Sequence, residues 1–263
     1  MSLRSSPWPP GVPCWVDLAV SDVEAVRSFY TAVLGWDFVR SDAGADRYLL
    51  ARARGVPAAG VGIRQPGAPT AWTLSFASDD VDATASAVVA AGGTVVAPPR
   101  DVGRLGRTCV AADPTGAAFG VWQHADHIGA GVVNEPGGLT WDDLRSPDPN
   151  AARAFYTEVF GFTTTPLPAA GPDYAVYQLP QEVAPLGGMG GMFGAAGQLA
   201  HWLVYFGVAD AAAAADAADR SGGSVVVREF DTPYGPMASL LDPAGAAFWV
   251  IETDGSNQPD RSG

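Results

Sequence analysis

Asp143 and Arg145 stand two residues apart in Trp141-Asp142-Asp143-Leu144-Arg145, a run that reads as a strand, so their side chains share one face. A carboxylate and a guanidinium so placed pair with each other. Given a third group, they can also orient a base and stabilise negative charge that develops in a reaction. His201 is the candidate base, and whether the three converge depends on the fold. The other histidines, His124 and His127, have an i, i+3 spacing open to a metal pair, but they lie in a Gly-rich stretch that reads as a solvated linker. Glu252 ends the run Trp249-Val250-Ile251 and reads as an exposed strand-end carboxylate. There is no nucleophile motif, phosphate-binding loop or dinucleotide fingerprint, because Gly188-Met189-Gly190-Gly191 lacks the strand-turn-helix setting that such a fingerprint needs.

The elements that must position these groups come from an internal repeat. Cys14-Trp15-Val16-Asp17-Leu18 returns as Thr140-Trp141-Asp142-Asp143-Leu144, and Arg27-Ser28-Phe29-Tyr30-Thr31 as Arg153-Ala154-Phe155-Tyr156-Thr157, each 126 residues on. Later matches sit 129 or 130 residues apart, among them Ala71-Trp72-Thr73-Leu74 with His201-Trp202-Leu203-Val204 and the Asp-Pro-x-Gly-Ala-Ala-Phe strings from Asp113 and Asp242. Each copy opens with a strand. Asp22 and Asp148 then supply N-cap oxygens, Pro149 suits a first helical position, and Gly35 and Gly161 close the helix. Val26, Phe29, Tyr30, Val33 and Leu34 form one apolar stripe, repeated by Ala152, Phe155, Tyr156, Val159 and Phe160. Strands are expected over 36–40, 48–52 and 56–64, followed by a second strand (72–77), a helix (81–91) and three more short strands. The chain is thus four strand-helix-three-strand modules in two α+β domains, 12–123 and 140–252, with a linker over 124–139 and a mobile tail over 253–263.

Composition narrows the partners. With 15 basic and 28 acidic residues, the net charge of −13 repels phosphate backbones and anionic bilayers, so neither nucleic acid nor membrane is an expected partner. No apolar run approaches the length of a spanning helix, and the first residues lack the apolar core of a signal peptide, which points to the cytoplasm. Cys14 and Cys109 are too few for a disulfide framework and suit small buried positions.

The string from the capping Asp through Phe-Tyr-x-x-Val-Leu/Phe-Gly-Trp/Phe, with Ala-Gly-Gly and Asp-Pro-x-Gly-x-x-Phe, resembles the vicinal oxygen chelate superfamily. That group includes glyoxalase I, extradiol dioxygenases, and fosfomycin and bleomycin resistance proteins. The resemblance spans nearly the whole chain and is nearest to two-domain glyoxalase-like and hydroxylase types. It implies paired βαβββ modules whose curved sheets surround a cavity, with the helices outside. In metal-dependent members a cation is held by first-strand histidines and last-strand glutamates from two modules. The corresponding positions here are Trp15, Thr73, Gly120 and one near Val61 in the first domain, and Trp141, Leu203, Trp249 and one near Met189 in the second. No ligand set survives, so no metal and no cofactor are expected.

Strand alternation from those positions gives the expected cavity walls: Trp15, Asp17, Thr73, Ser75 and Trp122 in the first domain, and Trp141, Leu203, Tyr205 and Trp249 with Asp143, Arg145 and His201 in the second. Aromatic walls with a few polar groups suit a metal-free site for an aromatic or polyketide-like molecule. The alternative is an enzyme, either a lyase, isomerase or hydroxylase-like catalyst using His201, Asp143 and Arg145, or a glyoxalase with an unorthodox metal. Because the duplication supplies both halves of the assembly, a monomer with internal pseudo-twofold symmetry is expected.

Overall fold

The computed structural model describes residues 4–41, 48–180, 184–192 and 199–253. The first domain runs β1 (Pro13–Val20), α1 (Val23–Leu34), β2 (Trp36–Arg40), β3 (Tyr48–Ala53), β4 (Val56–Ile63), β5 (Ala71–Ala77), α2 (Val81–Ala90), β6 (Thr94–Val102), β7 (Gly106–Ala112) and β8 (Ala118–His124). The second repeats it with β9 (Leu139–Ser146), α3 (Pro149–Phe160), β10 (Thr163–Pro166), β11 (Ala175–Gln178), β12 (Gly187–Gly191), β13 (His201–Val208), α4 (Ala211–Arg220), β14 (Ser224–Phe230), β15 (Met237–Leu241) and β16 (Ala247–Glu252). Each domain forms a curved, unclosed eight-stranded mixed sheet, β2-β3-β4-β1-β5-β8-β7-β6 and β10-β11-β12-β9-β13-β16-β15-β14. The expected tail lies outside the described residues from position 254 on.

The local signals act as read. Asp22 accepts from Glu24 N, Asp148 accepts from Ala151 N, and Gly35 and Gly161 take left-handed φ values of 67° and 74°. Glu252 is more than a strand end: its Oε1 accepts from Ala211 N at 2.9 Å and so satisfies a free amide at the start of α4. Gln123 does the same for Val81 N at the start of α2. The linker also departs from expectation. Ala130, Val132 and Val133 are buried, Gly131 N bonds to Pro57 O, and Gly137 N bonds to Gly207 O, so the segment is tied into both domains.

The helices cover the convex face of each sheet and meet across the domain boundary, α1 with α4 and α2 with α3. Two aromatic clusters fill that layer, related by the repeat. In one, Tyr30, Trp36 and Trp72 of the first domain pack on Phe206 and Phe248 of the second. In the other, Tyr156, Phe160 and Trp202 of the second pack on Phe76 and Phe119 of the first. Tyr30 also donates to Asp242 Oδ2 at 3.0 Å. The other oxygen of Asp242 accepts from Ala244 N and Ala246 N, closing the Asp-Pro-x-Gly turn. All of these rings but Phe160, which is partly buried and packs against them, sit in one continuous core with both sheets.

Phe76→Ala and its repeat counterpart Phe206→Ala are therefore expected to lower the unfolding free energy by similar amounts, about 3–5 kcal/mol each. Denaturant titration followed by far-ultraviolet circular dichroism measures both, and a loss below about 1 kcal/mol at either site would contradict the reciprocal packing.

Candidate functional site

The first strand of each domain runs up the centre of its sheet, flanked by β4 and β5 or by β12 and β13. Val16, Leu18 and Val20 face the helices and are buried in the core. By alternation Trp15 and Asp17 face the opposite, concave side. Registers set their neighbours: Trp15 beside Ser75, Asp17 beside both Thr73 and Gly60, and Ser75 beside Gly120. In the second domain Trp141 lies beside Tyr205, Asp143 beside Leu203 and Gly188, Arg145 beside His201 and Gly190, and Tyr205 beside Trp249. The concave positions on β4 and β12 are thus Gly60 and Gly188, one residue from the sites near Val61 and Met189 suggested by counting. Val61 and Met189 point into the core and are fully buried.

These glycines have a reason. A Cβ on Gly60 would stand 1.8 Å from the Tyr48 hydroxyl and 2.3 Å from Asp17 Oδ1, and one on Gly188 would stand 1.8 Å from the Tyr174 hydroxyl and 2.3 Å from Asp143 Oδ1. The bare backbone lets a tyrosine reach across β4 or β12 to the carboxylate. Tyr48 donates to Asp17 Oδ1 at 2.5 Å, and Tyr174 to Asp143 Oδ1 at 2.6 Å. Trp15 Nε1 and Trp141 Nε1 each reach the respective tyrosine hydroxyl at 3.3 Å. Both domains therefore carry the same floor of Trp, Asp, Tyr and Gly. Residue-by-residue strand reading misses Tyr48 and Tyr174, which come from neighbouring segments. Their 126-residue repeat spacing is the signal that could have found them.

The second domain elaborates this floor. Arg145 donates to Asp143 Oδ2 at 2.6 Å, Tyr205 donates to the same oxygen at 2.8 Å, and Trp141 Nε1 adds a bond to Oδ1 at 3.0 Å. With Tyr174, Asp143 accepts four hydrogen bonds, which matches the roughly four acceptor sites of a carboxylate. The Arg145–Asp143 pair is almost wholly buried, and the guanidinium lies 5.2 Å from the centre of the Tyr174 ring. Tyr205 stacks on Trp249 at 5.6 Å, and Phe230 meets Trp249 edge-on at 6.2 Å. Trp141, Leu203 and Trp249 are half-buried, so an aromatic and aliphatic surface lies open above a closed polar floor. Burial, then the negative Asp143, raises the pKa of Tyr174 and of Tyr205 above the ordinary tyrosine value. His201 stands at the rim across from Arg145, and its Nδ1 meets Leu199 O at 2.9 Å. The structure thus joins Asp143 directly to Arg145, Tyr174 and Tyr205, with His201 beside that group.

In the first domain Ala19 and Ser75 stand where the second has Arg145 and Tyr205. Among the described residues Asp17 has no buried guanidinium beside it; burial raises its pKa above the ordinary 3.8, while the Tyr48 and Trp15 contacts and the charge of exposed Arg100 oppose that rise. Trp15 and Trp122 are buried beneath His127 of the linker, whose ring lies edge-on to Trp15 at 4.5 Å and to Trp122 at 5.6 Å. Burial pushes the His127 imidazole down to about 4. His124, its sequence partner, is exposed.

A divalent cation does not fit this donor set. At the convergent positions of the second domain stand two indoles, Leu203, a glycine and a carboxylate already taken by four donors. No group of three or more His, Cys, Asp or Glu side chains placed to hold a metal occurs among the described residues.

An all-helix-outside pair of eight-stranded sheets built from βαβββ modules defines a tandem glyoxalase-like protein. The family described as Glyoxalase/Bleomycin resistance protein/Dioxygenase superfamily matches residues 14–121 and 124–250, and the chain belongs to it. It is 40% identical over 262 residues to the Mycobacterium tuberculosis protein named "Putative glyoxylase CFP32", covering 95% of this chain and 97% of that one. It is 38% identical over 259 residues to the anthracycline biosynthesis protein DauV of Streptomyces sp. (strain C5), covering 92% and 94%. In fold it resembles the Mn(II)-bound glyoxalase from Novosphingobium aromaticivorans, with a TM-score of 0.68 at 19% identity over 95% of this chain and 84% of that one. Among the described residues no helix is long and apolar enough to cross a membrane.

The two floors predict opposite responses to the same isosteric change. Asp143→Asn leaves the Arg145 charge buried without its counter-ion and is expected to cost about 3–5 kcal/mol. Asp17→Asn removes a carboxylate whose ionisation burial opposes. The stability of the neutral Asp17 is fully present below pH 3.8 and falls as pH rises through its raised pKa. Relative to wild type, the Asp17→Asn variant should therefore gain stability as the pH is raised from about 4 to about 8, read by thermal melts across that range. Equal losses for both variants at neutral pH would contradict the assignment.

His127 gives a second pH signature. Its lowered pKa means that the unfolded chain takes up a proton before the folded one does. Stability is full above about pH 6.5 and declines as pH falls towards about 4, by up to roughly 3 kcal/mol. His127→Phe should flatten that acid limb in urea titrations at about pH 7 and about pH 4.5, and an unchanged limb would refute the buried neutral ring.

Proposed function

We propose that the protein binds an aromatic, polyketide-like small molecule on the concave face of its second domain, without a protein-bound metal. One observation carries this reading: the carboxylate nearest the expected metal position, Asp143, is saturated by Arg145, Tyr174, Tyr205 and Trp141 beneath half-buried Trp141, Leu203 and Trp249. A floor of that kind is electrically balanced. It offers rings and aliphatic surface to a planar ligand. The 38% identity with an anthracycline biosynthesis protein supports an aromatic polyketide as the ligand class. In the first domain Trp15, Asp17, Thr73, Ser75 and Trp122 play the smaller part, since His127 covers the two indoles. The unit of function is one chain acting as a monomer in the cytoplasm.

A dihydroxyanthraquinone titrated into the protein should quench tryptophan fluorescence with no turnover, and Trp249→Ala should weaken binding about tenfold or more, the equivalent of about 1.4 kcal/mol. Prior dialysis against a chelator should leave the affinity unchanged. Loss of binding on chelation that Mn(II) restores would overturn the metal-free reading. Conversion of the probe to a product, abolished by His201→Ala, would replace binding with catalysis.

A further inference from the structure

We infer that the concave face of the first domain is a binding site for one small, neutral heteroaromatic ring, and that the chain's own His127 occupies it. The two domains build the same floor, yet the equivalent indoles differ in exposure. Trp141 is half-buried, whereas Trp15 is buried. His127 makes the difference, with its ring against Trp15 at an interplanar angle of 88° and against Trp122 at 67°. Such edge-to-face contacts are the favoured geometry of aromatic recognition.

The backbone that carries this ring is anchored independently of it. His127 N donates to Leu105 O at 3.0 Å, and His127 O accepts from Trp122 Nε1 at 2.9 Å. Gly129 lets the chain turn close beneath, since a Cβ there would stand 2.4 Å from Cys14 O. The loop should therefore keep its course when the imidazole is removed, leaving a hole of the shape of a ring. No polar lock holds that ring among the described residues: Nε2 is shut off from solvent without a hydrogen-bond partner. Ring contacts hold it, and burial keeps it uncharged. His127 as a whole retains some exposure, which gives an exchanging ring a way in. The site is distinct from the one proposed in the second domain, so the two readings stand or fall separately.

Chemical rescue of the full chain tests this. His127→Ala should lower Tm by several degrees, and about 10 mM imidazole should restore at least half of the loss by mass action on the folded state. The same imidazole should leave wild type and His127→Phe unmoved, because their sites are filled. If His127→Ala does not fold alone, imidazole present during refolding should recover it. Failure of imidazole to act on His127→Ala in either format, or an equal response from His127→Phe, would overturn the inference. Repeating the rescue in the Trp249→Ala background should give the same shift; a rescue lost there would place the ring in the second domain and also overturn it.

Discussion

The structure depends on reciprocal packing between modules of different domains. The first module of each domain inserts its Phe-Tyr helix against the second module of the other, so Phe29, Tyr30 and Trp36 meet Phe206 and Phe248 while Tyr156 and Phe162 meet Phe76. This spends the convex face of each sheet on the interface. What remains is the concave face of each domain, partly exposed in the second and covered by His127 in the first. The most recognisable residues of the repeat, Phe-Tyr and Asp-Pro-x-Gly, therefore belong to the joint: Tyr30 bonds to Asp242, and Asp113 lies close enough to raise the pKa of buried Tyr156, after burial itself. Motif residues of this kind report the fold and leave the chemistry to be argued from the other side of the sheet.

That division explains how much was legible in the sequence. Caps, helix stripes and strand alternation are local, so the module order emerged from them, as did the facing of Trp15, Asp17, Trp141, Asp143 and Arg145. Tyr48 and Tyr174 were not legible that way, because they reach Asp17 and Asp143 across a neighbouring strand, through space that exists only where Gly60 and Gly188 lack a Cβ. The Gly-rich run that holds Gly188 has the look of a flexible loop in composition and is a central strand in fact. The linker misled for a related reason. Its small and polar residues suggest solvent, but backbone bonds to Pro57, Leu105 and Gly207 and the His127 ring stitch it to both sheets.

Membership of a metal-using superfamily and the polar floor seen here can be reconciled by asking what a cation would have to displace. Asp143 has its acceptor sites filled by two phenols, an indole and a guanidinium, so a metal would have to strip off donors already in place. The phenols could ligate only as phenolates. Burial and the adjacent carboxylate drive Tyr174 and Tyr205 the other way, towards holding their protons. Arg145, paired and almost wholly buried, adds a fixed positive charge where a second one would have to sit. Each of these effects opposes the cation separately. The same charge balance agrees with the neutral planar guest proposed above, for which Trp249, Leu203 and the Tyr205 ring would supply contact area and stacking.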